Sequence, residues 1–441
     1  MLRNYPTLPH IAAGLMLILS CSATRQVTQV NDNKTVVTEA IPADSTRTDK
    51  LPEWILAQYP QFFSRVLANR KEWNVQILFT QVNRGANGTP DLKTWHFNTN
   101  PSRYFYPAST IKLPVVLLAL QKLNELRYKG IDRNTSMITE TDYSGQTAVY
   151  NDPTTPDGRP TIAHYIKKVL LVSDNDAYNR LYEFVGQEYI NTEMQKKGYR
   201  DVQVLHRLNI FLSDAENSHT NPVIFLGRNN EVLYRQPGLY NTMKYAKRRD
   251  SLGRGYYKGG VLKNGPMDFS GKNRISLEDL HQVMISIIFP DKVPASQRFN
   301  ISEDDRKFVL QYLSEWPAES NFPPYASNPA AYPPSYCKFL LPGGDKGPAP
   351  DGIRIFSKSG DAYGHMLDVA YVVDFKNKTE FFLSAVIYCN SDGILNDDQY
   401  DYDSIGYPFM KNLGKVIYDH ELKREKKNAP DLSSFMFDYN K

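Results

Sequence analysis

The chain has 441 residues, of which 41% are hydrophobic and 23% charged, enough apolar content to bury a sizeable core and too much for a disordered polymer. Its 52 lysines and arginines against 48 aspartates and glutamates leave a formal charge of +4, too small for the footprint of a dedicated nucleic-acid binder, so nucleic acid is not an expected partner. Three cysteines, Cys21, Cys337 and Cys389, are too few and too scattered for a zinc ribbon or a disulfide framework, and no metal or cofactor is expected.

At the N-terminus Arg3 precedes the apolar run Ile11 to Leu19. That run is too short to span a bilayer as a helix but fits the apolar region of an export signal. The following Ser20-Cys21 places a small residue before a cysteine and resembles a bacterial lipobox. The resemblance implies a signal peptide over 1–20, lipidation of Cys21, and an exported lipoprotein anchored to the membrane, periplasmic or at the cell surface. Residues 21–50 read as a flexible tether, since 22–50 lack aromatics and are rich in Thr, Asn, Asp and Ser. The folded domain is expected over 51–425, with insertions around 211–270 and 317–350 and a C-terminal tail over 426–441.

From Leu51 to Leu67 the pairs Phe62/Val66 and Phe63/Leu67 predict a helix broken at Pro60. Alternation of Val75, Ile77 and Phe79, the turn cluster Gly85-Ala86-Asn87-Gly88, and the strand composition of Thr94 to Phe97 predict a hairpin. In YPASTIKLPVVLLALQKLNEL, Ser109 stands at an expected helix start, with Leu113, Val116, Leu117, Leu120 and Leu123 forming the buried stripe. Lys112, three residues on, then shares a face with Ser109. A serine hydroxyl is a poor nucleophile until a base takes its proton, and a desolvated lysine near other cations is neutral enough to serve. Alone, the pair is weak evidence, since serine is a common helix cap and lysine a common exposed residue.

Two further motifs change that weighting. LLVSDNDAYNRLYEFVG carries Ser173-Asp174-Asn175, and FSKSGDAYGHMLDVAYVVDF carries Lys358-Ser359-Gly360 in a strand-like context. In this order, S-x-x-K, S-D-N and K-[ST]-G resemble the active-site set of penicillin-binding proteins and serine β-lactamases, class A in particular. The resemblance covers about Leu51 to Leu422, with the insertions unmatched. It implies an α+β fold: one antiparallel sheet made from both chain ends, flanked by helices, with a separate helical subdomain and the active site at their junction. Caps at Ser276, just after Arg274, and at Ser302, with Asp305 three residues on, mark two helices assigned to that helical part. Strands over Leu367–Phe375 and Glu380–Tyr388 and a closing helix marked by Phe409, Leu413, Val416 and Ile417 complete the pattern.

The resemblance also implies roles. Ser109 becomes the acylated nucleophile, Lys112 its base or part of the relay, and Ser173 the donor of a proton to the departing nitrogen. Asn175 holds the substrate's amide carbonyl, Lys358 and Ser359 bind its carboxylate, and Gly360 lets the substrate lie against the strand. The N–H groups of Ser109 and Asp361 form the oxyanion hole. In class A enzymes a glutamate three residues before a Leu-Asn pair activates the water that clears the acyl-enzyme; Leu208-Asn209 is present, with Asn209 at the substrate, but Leu205 occupies the glutamate's place. Asp214, Glu216 and His206 are nearby substitutes, although such acids are usually solvated and such a histidine usually packed. The expected function is therefore a serine hydrolase with doubtful deacylation, acting on β-lactams. The alternatives are a D,D-peptidase or amidase on peptidoglycan peptides, or a module that binds without turnover.

Three features stay open at this stage. Lys244, Lys247, Arg248, Arg249, Arg254 and Lys258 form either a cationic surface for an anionic cell-wall polymer or, more simply, a solvated loop. The Pro- and Tyr-rich segment from Asn321 to Lys338 reads as a rigid excursion near the Lys358 strand that shapes substrate access. Cys337 and Cys389 could pair or remain apart.

Overall fold

Pro60 lacks the N–H that a helix interior needs, and the computed structural model, which describes residues 50–439, places it at the first position of a second helix rather than inside one long one. Helices α1 (Leu51–Ala57) and α2 (Pro60–Ala68) are followed by the hairpin β1 (Gln76–Arg84) and β2 (Pro90–Phe97). A 3₁₀ turn at Ala108–Ile111 leads into α3 (Lys112–Leu126). The middle of the chain then holds β3 (Ser136–Thr139), α4 (Ile162–Val172), α5 (Asn175–Val185), α6 (Gln187–Lys196) and α7 (Asp214–Ser218). Short strands follow: β4 (Val223–Leu226), β5 (Val232–Gln236), β6 (Ser251–Leu252), β7 (Gly255–Lys258), β8 (Val261–Asn264) and β9 (Met267–Asp268). Helices α8 (Leu277–Ile288) and α9 (Glu303–Ser314) precede the meander β10 (Ile353–Ala362), β11 (His365–Asp374) and β12 (Thr379–Tyr388). Strand β13 (Ile394–Leu395) and helix α10 (Tyr407–Lys423) end the regular structure. The export signal, Cys21 and nearly all of the tether lie outside the described residues.

The main sheet has the order β10-β11-β12-β1-β2 with every pairing antiparallel, so N- and C-terminal strands share one sheet, as the motif order implied. Alternation along β1 sends Ile77 and Phe79 to one face and Leu78 and Val82 to the other. The first face packs under α1, α2 and α10; the second joins the core of the helical block. Burying each large aliphatic side chain of these cores contributes about 1.5–3 kcal/mol relative to leaving it in water.

Two expectations are corrected here. Helix α3 has no single buried stripe: Val115, Leu118 and Ala119 are as buried as Leu113, Val116, Leu117 and Leu120, because α3 runs through the middle of the helical core. Helix α8 does not belong to the helical block alone. It lies on the sheet, where buried His281 accepts or donates at Thr80 Oγ1 of β1 (2.8 Å) and Ser384 Oγ of β12 (2.7 Å). Helix α9 packs on α4 and β10 and is capped as expected, the Asp305 N–H donating to Ser302 Oγ. Past α10, Leu432 and Phe435 return to the core, where Phe435 meets Phe356 and Tyr371.

Candidate active site

Three chain segments meet at the junction of the helical core and the edge strand β10. Ser109 sits in the 3₁₀ turn before α3, so its hydroxyl does not cap the helix; Lys112, not Ser109, is the first residue of α3. The turn is strained, since Ala108 holds φ at 46°, a region that costs a side-chain-bearing residue of order 1–3 kcal/mol. Ser109 is half-buried, and its hydroxyl has no hydrogen-bond partner among the described residues.

The S-D-N tripeptide is the corner between α4 and α5, and each residue has a separate backbone task. Ser173 ends α4 in the left-handed conformation, with φ at 59°. Asp174 caps α5 by accepting the Ala177 N–H at 2.8 Å, and Asn175 opens α5. This corner brings both flanking side chains to Lys112, whose Nζ donates to Asn175 Oδ1 (2.7 Å) and to the Ser173 carbonyl, and stands 3.2 Å from Ser173 Oγ. From the opposite side Lys358 Nζ donates to the same Ser173 Oγ at 2.9 Å and to its neighbour's carbonyl at 2.7 Å. One hydroxyl therefore bridges two lysines.

Both amines are buried, which disfavours their charged forms. Burial, reinforced by the positive charge of Lys358, holds Lys112 well below the usual lysine range. Lys358 is lowered as well, also by burial, but the neighbouring carboxylates Asp368 and Asp361 pull it back toward the charged form. The arrangement thus places one hydroxyl between two buried amines whose charged forms are disfavoured, a geometry suited to moving a proton.

Gly360 is dictated by sterics. A Cβ at this position would strike the Ser109 backbone nitrogen, so any larger residue would push β10 away from the 3₁₀ turn. Ser109 and Asp361 line two adjoining cavities. One, of about 820 Å³, is walled by Asn175, Asn209, Tyr106, Tyr363 and Phe211 among others; the second, of about 220 Å³, is walled by Ser173, Ser359, Gly360, Tyr336 and Cys337. The second cavity exists because the Pro- and Tyr-rich excursion is fastened to the sheet. Ser359 Oγ donates to the Cys337 carbonyl at 2.6 Å, and the N–H groups of Phe339 and Leu340 donate to Asp368 Oδ2 at 2.8 and 2.9 Å. Cys337 and Cys389 are both buried free thiols.

The loop that carries Leu205 is equally well determined, and it presents no base. Leu205 N–H donates to Asn273 Oδ1 (2.7 Å), and its carbonyl accepts from Gln187 Nε2 (2.6 Å). His206 is used at both nitrogens: Nδ1–H donates to the Arg207 carbonyl (2.6 Å), and Nε2 accepts the Asn273 N–H (3.2 Å). Burial lowers it to about 4. Arg207 pairs through Nε with the buried Glu183 (2.9 Å), which also pairs with Arg180 (3.0 Å). Glu216 closes a capping box with Ser213 and accepts from Ser144 Oγ, and Asp214 is exposed in the first turn of α7; neither lines the cleft. Asn209, held by Asn179 contacts to the Leu208 backbone (2.8 and 3.0 Å), does reach the cleft. The cationic segment is partly structural, since Arg248 donates to the carbonyls of Phe269, Ser270 and Lys272.

Sequence reasoning brought together Ser109, Lys112, Ser173, Asn175, Lys358, Ser359, Gly360, Asp361 and Asn209. It missed Asn273, Asp368 and the Glu183 pairings, which are single residues distant in sequence, and the aromatic wall of the cleft.

An antiparallel sheet built from both chain ends with a helical block beside it defines a β-lactamase-like fold, and a lysine–serine–lysine cluster lies at their junction. The model of the Beta-lactamase enzyme family matches residues 61–420, and the chain belongs to that family. No curated protein matches the chain. Among solved structures it is similar to a β-lactamase from Sphaerobacter thermophilus, at 15% identity over 82% of this chain and 97% of the other with a TM-score of 0.42. It is likewise similar to a class A β-lactamase from Clostridium kluyveri (14%, 82% and 98%, TM-score 0.44) and to a PBP-A variant solved as an acyl-enzyme with penicillin G (15%, 83% and 96%, TM-score 0.43).

Proposed function

We propose that the protein is a serine hydrolase that forms an acyl-enzyme at Ser109 with β-lactams and releases it slowly. The observation that carries this reading is the Ser173 hydroxyl bridging Lys112 and Lys358 beside an unpartnered Ser109. Neutral Lys112 accepts the Ser109 proton as Oγ attacks the amide carbonyl. The Ser109 N–H, in a first helical turn where donors lack intrahelical acceptors, and the Asp361 N–H receive the oxyanion. Ser173 gives a proton to the departing nitrogen and recovers one from the lysines. Asn175 Oδ1 is engaged by Lys112, so its amide N–H₂ is the part left for the substrate's carbonyl. Because the Ser359 proton is committed to Cys337, the substrate's carboxylate rests on Lys358.

The blank at Leu205 supports a second reading on the same chemistry: a penicillin-binding D,D-peptidase or amidase acting on peptidoglycan peptides, or a module that holds its adduct. On the strength of the apolar run and Ser20-Cys21, we also infer an exported, lipid-anchored protein; Cys21→Ala should then release it from the membrane fraction, and unchanged fractionation would refute the anchor. A fluorescent penicillin should label the wild type and leave Ser109→Ala unlabelled. Labelling that survives this substitution would remove Ser109 from the mechanism.

A further inference from the structure

One wall of the larger cavity comes from residues 390–403, a segment outside the three motifs that holds five aspartates and no lysine or arginine. Three of the five are occupied locally. Asp392 accepts the Ile394 N–H, Asp397 the Gln399 N–H, and Asp401 the Ser391 N–H and hydroxyl. Asp398 and Asp403 are exposed, hydrogen-bond to no described residue, and line the cavity with Ser109. Asp361 adds a third carboxylate. Against these stand Lys272 and an Arg207 already held by Glu183 on the lining, with Lys358 and Lys112 facing Asp361 alone of the three.

A second, independent feature lines the same cavity. Tyr106 is only 5% exposed and lines the same cavity, yet its hydroxyl has no hydrogen-bond partner among the described residues. Its ring is fixed, stacked on His206 and edge-on to Tyr363 at 5.0 Å, so its phenol is free to bond what enters the cleft, solvent included. The hydroxyls of Tyr400 and Tyr402 are taken by the N–H groups of Asn396 and Gly364, which leaves their rings as fixed cavity walls.

We propose that this wall is a subsite for an ammonium group, and that the substrate is an amide or lactam acyl donor carrying a primary amine. Carboxylates accept N–H bonds from such a group, aromatic faces attract its charge, and the Tyr106 hydroxyl accepts or donates alongside. With Lys358 holding an anion at the base, the two ends of a zwitterionic substrate are told apart before the scissile bond reaches Ser109. This inference rests on the acyl-transfer reading of Ser109.

The test compares three chromogenic cephalosporins that differ only in a side chain bearing an ammonium, a neutral or a carboxylate group. Acylation of the full chain by the ammonium compound should exceed that of its neutral twin about fivefold, the scale of an ion pair open to solvent, and the carboxylate compound should be slowest. Asp398→Asn with Asp403→Asn should bring the ratio to about one while sparing the neutral compound, and added salt should compress it. A wild-type ratio near one, or a ratio that survives the double substitution, overturns the subsite. If no compound acylates Ser109, the acyl-transfer reading falls. The subsite is then decided by equilibrium binding of a lysine-containing dipeptide against its norleucine twin: tighter binding of the first supports it, and equal binding overturns it.

Discussion

The floor of the site and the loop above it are built to the same standard and do opposite things. At the floor, Lys112 and Lys358 both meet the hydroxyl of Ser173, which lines one cavity with Ser109. In the loop, His206, Arg207 and Glu216 are just as fully bonded, but each is spent on its own backbone or on a buried partner. Equal order therefore does not mean equal chemistry: the first region keeps a hydroxyl between two amines near Ser109, and the second has its polar groups bonded within the loop. On the proposed reading, the floor is equipped for acylation, and the loop offers no base for deacylation.

The largest expected effect comes from removing the base. Lys112→Ala should slow acylation by about 10²-fold or more, as loss of general-base assistance does, with far-UV circular dichroism unchanged. Unchanged acylation would erase the difference between floor and loop. Breaking the loop's buried pairing through Glu183→Ala strands two guanidiniums and should cost about 3–5 kcal/mol in denaturant unfolding, without altering which residue is labelled. A loss within 1 kcal/mol would show that the loop is not held as described.

Lys358→Ala should weaken carboxylate-bearing substrates by about 1.5–3 kcal/mol while sparing neutral esters, measured as acylation efficiency. Equal losses for both would count against carboxylate recognition. The same cation helps depress Lys112, so removing it lets Lys112 hold its proton to higher pH, and the acid limb of the acylation profile should move upward. A limb that stays in place would separate the two amines.

The smallest effect is at His206. His206→Gln should leave the hydrolysis rate of the adduct within about twofold, because a histidine bonded at both nitrogens is not a base for water. A larger drop would move the deacylating group to this residue. Its lowered value also has a sign in stability. The unfolded imidazole takes up its proton near 6.5 and the folded one near 4, so the unfolded state binds more protons in between and wild-type stability falls as pH falls through that window. His206→Gln should flatten that slope.

What could be read from the chain alone was whatever rests on local order. The three motifs lie in short stretches, β1 and α10 each repeat an apolar period, and β11 and β12, buried along nearly their whole length, are marked by near-continuous apolar runs. Helix α3 misled because a helix through the centre of a core has no polar face to mark its orientation, and α8 because its partners, Thr80 and Ser384, are distant polar residues joined by one histidine. Asn273, which pins Leu205 and His206, carries no local signal. The aspartate-rich run before α10 did carry one, in its one-sided charge.

The central claim is that the protein acylates readily and deacylates poorly, and intact mass followed through a single exposure to a chromogenic β-lactam measures it directly. The predicted result is a burst of one equivalent of product with a matching adduct on Ser109 that decays far more slowly than it forms, since a missing base costs about 10²–10⁴ in rate. Rapid multiple turnover with no detectable adduct would contradict it, and would mean that water is activated by a group the loop described here does not supply.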